Sequence, residues 1–148
     1  MSDRPVNVLL VEDDENDILF MKEAFAQVGA QVCLDVVKDG EAAIAKLTGL
    51  AAELDARKPP GFTHLILDLK LPRKSGLEVL AWIRTRPVLA CLSIAVLTSS
   101  HERSDLEAVR ALGVERYHVK PLSFRELNVL VRRLCQDWGI APDGPGGR

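Results

Sequence analysis

The sequence predicts an α/β domain, a doubly wound five-stranded parallel sheet with helices on both faces. Two observations carry this prediction. Short, continuous apolar runs rich in β-branched residues recur along the chain, as expected of strands buried on both sides. Between them lie segments with apolar residues at helical spacing, and the alternation of the two kinds implies a parallel sheet covered by helices. No internal repeat or second composition zone interrupts the alternation.

The elements follow in order. Val6–Val11 is the first strand. Residues 16–28 place Ile18, Leu19, Met21, Ala24, Phe25 and Val28 at helical spacing, and Gly29 stops the helix. Residues 31–37 read as a second strand, and Asp39-Gly40 as a turn. A helix begins near Glu41 with Ala42, Ala43, Ile44 and Leu47 inward, extends through residues 51–56, and ends by Pro59-Pro60-Gly61. Residues 63–67 form a third strand closed by Asp68, and 76–85 a helix that ends before Pro87. Residues 92–97 form a fourth strand before Thr98-Ser99-Ser100, where Ser100 is placed to cap the helix over 103–112. Arg116–Val119 is a short fifth strand that runs into Lys120-Pro121. Ser123 with Glu126 forms a capping box for a last helix that buries Phe124, Leu127, Leu130, Val131 and Leu134. The domain is expected over residues 1–138, with a flexible Gly/Pro-rich tail over 139–148.

Composition removes several function classes. A formal net charge of −2 argues against a nucleic-acid surface. No apolar run is long enough to span a bilayer, and Met-Ser-Asp-Arg-Pro is no signal peptide. Cys33, Cys91 and Cys135 are far apart in apolar contexts, so buried free thiols in a reducing cytoplasm are expected. His64, His101 and His118 are not at metal-ligand spacing, and nothing resembles a P-loop, GxGxxG or nucleophile elbow.

The strand ends carry the chemistry. Val-Glu-Asp-Asp-Glu-Asn-Asp at residues 11–17 follows a buried strand with five acids in seven positions. Two carboxylates about 4 Å apart repel by roughly 4 kcal/mol at an effective dielectric near 20, so something must offset that cost. In a parallel sheet, function gathers at the carboxyl ends of the strands. There the topology would bring together Glu12 and Asp13, Asp68, Thr98 and Lys120. Three carboxylates give −3, and Mg²⁺ with Lys120 supplies +3. Mg²⁺ takes oxygen ligands and keeps waters that leave room for a phosphate oxygen. By contrast, Asp14, Glu15 and Asp17 read as solvated acids that favour the start of the next helix.

The set of Val-Glu-Asp-Asp, Leu-Ile-Leu-Asp-Leu-Lys-Leu-Pro, Gly76, Leu-Thr-Ser-Ser and Val-Lys-Pro, in that order over residues 6–137, resembles the receiver domain of two-component response regulators, a CheY-like fold. Asn-Asp-Ile-Leu-Phe-Met-Lys-Glu-Ala-Phe and Leu-Asp-Leu-Lys-Leu-Pro-Arg-Lys-Ser-Gly-Leu-Glu-Val-Leu resemble the stand-alone receivers paired with phytochrome-type histidine kinases. The resemblance implies a phosphorylation-controlled switch. Asp68 would be the phosphoacceptor, and Asp13, Glu12 (through water), Asp68 and the Lys70 backbone carbonyl would hold Mg²⁺. Thr98 and Lys120 would contact the phosphoryl group, with Thr98 and Tyr117 as the switch pair. Lys120-Pro121 would be a cis peptide. Lys70 and Ser100 depart from common family patterns, which suggests that they tune the phosphate lifetime.

A sensor histidine kinase is the expected partner, and autodephosphorylation the one enzymatic trait. With about ten residues after Trp138, no DNA-binding domain is expected, and output would pass through protein contact. The face of helix 4, strand 5 and helix 5 would form a homodimer, with Leu112, Val114, Tyr117, Leu122, Phe124 and Val129 as candidate contacts. Two rival readings exist. One is an Mg²⁺-dependent phosphohydrolase with Asp68 as nucleophile, although Lys70 stands where such enzymes carry an acid/base. The other is a phosphate-independent scaffold, which the complete Glu12, Asp13, Asp68, Thr98, Lys120 set opposes.

Overall fold

The computed structural model describes residues 5–140, and strand and helix alternate through them. The elements are β1 (Val6–Val11), α1 (Glu15–Val28), β2 (Val32–Val37), α2 (Gly40–Asp55), β3 (His64–Leu67), α3 (Gly76–Arg84), a 3₁₀ turn (Pro87–Cys91), β4 (Ser93–Thr98), α4 (Arg103–Ala111), β5 (Arg116–Val119) and α5 (Phe124–Asp137). All neighbouring strands pair in parallel in the order β2-β1-β3-β4-β5. The doubly wound sheet is therefore as expected, and the elements differ from prediction by a residue or two at their ends.

Strand alternation sorts the core into two layers. Leu9 and Val11 of β1, with Leu65 and Leu67 of β3, face α2, α3 and α4. Val8, Leu10 and Ile66 face α1 and α5, where Met21, Phe25, Val131 and Leu134 close the layer. Because both faces are covered, the central strands bury residues of both parities, and residues 8–11 and 65–67 are unbroken apolar runs. Local chemistry sets the helix ends. Asp14 caps α1 by accepting the Asp17 N–H at 3.0 Å, and Gly29 ends it at φ 75°, a left-handed turn that favours glycine.

Two expectations need correction. Cys135 is buried, but Cys33 and Cys91 are exposed. Cys33 lies on the edge strand β2 and Cys91 closes the 3₁₀ turn, and apolar sequence context does not reveal such edges. Packing against the domain also continues past Trp138. Ile140 is buried against the α1/α5 layer, and its N–H donates to the Cys135 carbonyl at 2.9 Å. The rest of the expected tail, 141–148, lies outside the described residues.

Candidate functional site

The sheet order reverses direction between β1 and β3, since the chain goes outward to β2 before returning. That reversal opens a crevice at the carboxyl ends of these strands. Glu12 leaves β1 with its N–H on the Val37 carbonyl at 3.0 Å, and Asp68 leaves β3 with its N–H on the Val11 carbonyl at 3.1 Å. The sheet ladder thus carries both acids to one point, where both are almost fully buried. Asp13 beside them is exposed. Glu12, Asp13 and Asp68 each offer a carboxylate oxygen within 4.8 Å of the others.

Lys120 answers the repulsion. The fifth strand hands it over with its N–H on the Thr98 carbonyl at 2.8 Å. Its ammonium donates to Glu12 Oε1 at 2.7 Å, Asp17 Oδ2 at 2.7 Å and Asp68 Oδ2 at 2.9 Å. The other oxygens are also held. Asp68 Oδ1 accepts the Lys70 N–H at 3.2 Å, and Glu12 Oε2 accepts the Asp14 N–H at 3.1 Å. Burial pushes the Glu12 carboxyl up to about 7 against the pull of Lys120 and the Asp14 N–H. Burial alone would lower Lys120, but its bonds to Asp17, Glu12 and Asp68 outweigh that and raise it above an ordinary lysine. The two shifts make opposite demands, because a raised lysine needs ionised partners. Geometry favours the ammonium: three oxygens surround it within hydrogen-bond distance.

Thr98 and Ser100 are both buried. Thr98 Oγ1 accepts the Ser100 N–H at 3.3 Å, and the Ser100 carbonyl accepts the Tyr117 hydroxyl at 2.7 Å. Ser100 Oγ donates to Asp105 of α4. Ser100 is not the cap of α4: Glu102 holds that position, with no side-chain cap bond, and its N–H reaches Ser100 Oγ at 3.5 Å. The serine therefore ties the helix start from outside it.

Of the expected site residues, Glu12, Asp13, Asp68 and Lys120 meet in one place, and Thr98, Ser100 and Tyr117 form a second, adjoining network. Lys70 touches the site through its N–H while its side chain is exposed. The Lys120–Pro121 bond is not cis, since no cis peptide occurs among the described residues. Trans is the intrinsically favoured form of an X–Pro bond, by about 0.5–1 kcal/mol, and in it Lys120 already reaches both the Thr98 carbonyl and the carboxylates. Asp17, read from sequence as a solvated acid, is instead a direct partner of Lys120. Its place in the first turn of α1 was visible, but nothing local says that this face meets the end of β5.

Two glycines shape the loop after β3. A Cβ on Gly76 would sit 2.2 Å from the Asp68 carbonyl oxygen, and one on Gly40 would sit 2.1 Å from the Lys74 carbonyl oxygen. Beside the acids, a cleft of about 360 Å³ opens between α1 and the start of α5, walled by Phe20, Met21, Ile66, Leu97 and Phe124.

Two buried carboxylates, an exposed third and an ammonium at the turning point of this sheet order define a receiver-type signalling domain. The model of the response regulator receiver domain matches residues 8–132. The chain belongs to that family. It is 33% identical to response regulator Rcp1 of Synechocystis sp., over 93% of this chain and 91% of that one. It is also 33% identical to the probable methanogenesis regulatory protein FilR2 of Methanothrix harundinacea, over 90% of this chain and 84% of that one. Among solved structures, the phosphorylated cyanobacterial phytochrome response regulator RcpA superposes with a TM-score of 0.77 at 31% identity, covering 90% of this chain and 94% of that one. Receiver domains of this family are signalling switches, and histidine kinases are their partners. No helix among the described residues is long and apolar enough to cross a membrane.

Proposed function

We propose that the chain is a phosphorylation-controlled switch in which Asp68 accepts a phosphoryl group from the phosphohistidine of a partner kinase. The observation that carries this reading is the environment of Asp68. It is a nearly fully buried carboxylate, with Glu12 and Asp13 oxygens within 4.8 Å and the Lys120 ammonium at 2.9 Å. The carboxylate attacks phosphorus, the phosphorus–nitrogen bond breaks, and the histidine keeps the electron pair. Lys120 is positioned to follow the charge onto the new phosphoryl oxygens.

The donor set suits Mg²⁺, being all oxygen with an excess of negative charge. Glu12, Asp13, Asp68 and the Lys70 carbonyl would hold the ion. Once bound, it would offset the charge that accumulates on the transferred group. Thr98 Oγ1 would turn from the Ser100 N–H to a phosphoryl oxygen, and the loss of that bond would reach Tyr117 through Ser100. Lys70 and Ser100 flank the acceptor and would set how long the phosphate survives. Hydrolysis of that phosphate by the domain itself is the only turnover in this reading.

The likeness to RcpA supports a phytochrome-type kinase as partner. Leu122 and Val129, fully and half exposed, support an output or homodimer surface on the β5/α5 side, joined by exposed Val119. Val114, expected there, is buried in the core, and Phe124 packs on Phe20 at 6.1 Å. Incubation with a small phosphodonor and Mg²⁺ should add one phosphoryl mass to the wild type. It should add none to Asp68→Asn, and none when the ion is chelated. Equal labelling of Asp68→Asn refutes the assignment.

A further inference from the structure

Asp17 has no part in the roles assigned above, yet its carboxylate lies as close to the Lys120 ammonium as that of Glu12, both at 2.7 Å. Helix capping does not account for it. Asp14 caps α1, and Asp17 contributes only its N–H to that bond. An acid in the first turn would gain from the helix dipole wherever it pointed, but this one is turned to a lysine 103 positions away. The remaining partners of the ammonium are Glu12 and Asp68, which are also the candidate cation ligands. A divalent cation drawing on both would compete with the lysine for them. Asp17 lies outside that trio, so its bond alone is free of the competition.

We infer that Asp17 is a positioning residue. It anchors the Lys120 ammonium from the α1 side, so that the lysine stays aimed at Asp68 when Glu12 and Asp68 turn to a cation. The inference rests on the phosphoacceptor reading of Asp68 and adds a fourth carboxylate with a separate task. A charge-assisted hydrogen bond restrains a long, flexible side chain, and an amide oxygen can accept the same bond. The role is therefore orientation by an acceptor atom, not supply of charge.

The test is the rate of phosphoryl uptake from a small phosphodonor at saturating Mg²⁺, measured on the full chain. Asp17→Ala should slow uptake by about tenfold, the scale of losing one such bond. Asp17→Asn should stay within about twofold of wild type, because it keeps the acceptor. In a Lys120→Ala background, Asp17→Ala should have no further effect, an outcome that general damage to the fold would not produce. Mg²⁺ affinity by calorimetry should change less than about threefold in Asp17→Ala. An NMR signal from the Lys120 ammonium, slowed in exchange by its three partners, should persist in Asp17→Asn and vanish in Asp17→Ala. Uptake by Asp17→Ala at the wild-type rate, or Asp17→Asn as slow as Asp17→Ala, overturns the inference. Wild type that takes no phosphate at all overturns the phosphoacceptor reading instead, and the NMR comparison still judges the anchor.

Discussion

Helices α3 and α4 have the same length, nine residues each, and both follow a strand that delivers a site residue, yet they are held in different ways. Helix α3 buries Gly76, Val79, Leu80 and Ile83, and starts with a complete capping box between Ser75 and Glu78. The loop before it is locked by backbone. Gly76 donates to the Leu69 carbonyl at 2.9 Å, and Arg73 sits at φ 71° with its guanidinium 3.4 Å from Asp39. Helix α4 buries only Val109, and no side chain caps it. Its link to the site is a set of side-chain bonds through Ser100. The contrast matches two physical needs. On the proposed reading, the acceptor Asp68 would need to be held still, whereas an element that carries the signal would need to change position at low cost, and low-stability segments supply such motion.

The sharpest way to break the contrast is Gly76→Ala. The new Cβ would fall 2.2 Å from the Asp68 carbonyl oxygen and 2.7 Å from the Leu69 Cα, and both are backbone atoms with no rotamer to yield. Overpacking at such a point costs about 3 kcal/mol, and displaced Asp68 should accept phosphate poorly. Thermal melting and phosphodonor labelling would both register it; an unchanged melt would mean that the loop yields easily.

A smaller effect is expected on the other side. Val109→Ala removes the single buried side chain of α4 and should cost about 2 kcal/mol. Its distinctive signature is local. Amide exchange in residues 103–111 should accelerate more than in α3, as read by hydrogen exchange with mass spectrometry. Uniform acceleration across both helices would remove the claimed difference in attachment.

The smallest expected effect sharpens the comparison at the helix starts. Ser75→Ala deletes a bond to the Glu78 N–H at 3.2 Å and should cost about 1 kcal/mol. Glu102→Ala removes a residue that makes no side-chain cap bond, so its cost should stay under about 0.5 kcal/mol. Denaturant titrations of the two variants decide the point, and equal costs would contradict it.

Much of this molecule was readable before folding. The period of apolar residues in α1 and α5, the apolar runs within β1 and β3, the Ser123–Glu126 and Gly29 boundaries, and the acids at strand ends are all local patterns. They act through spacing and propensity within a few residues, and the parallel topology then brings the strand ends together without further information. Contacts between elements were not readable in that way. Which acids surround Lys120, whether Cys33 faces solvent, that Ser100 bonds Asp105 rather than capping α4, and that Lys120–Pro121 is trans all depend on how elements rotate and dock. Asp17 is the clearest case. Its carboxylate meets Lys120 only because packing of α1 against the sheet turns that face toward the end of β5, and charge–charge contact is set by distance in space and not along the chain.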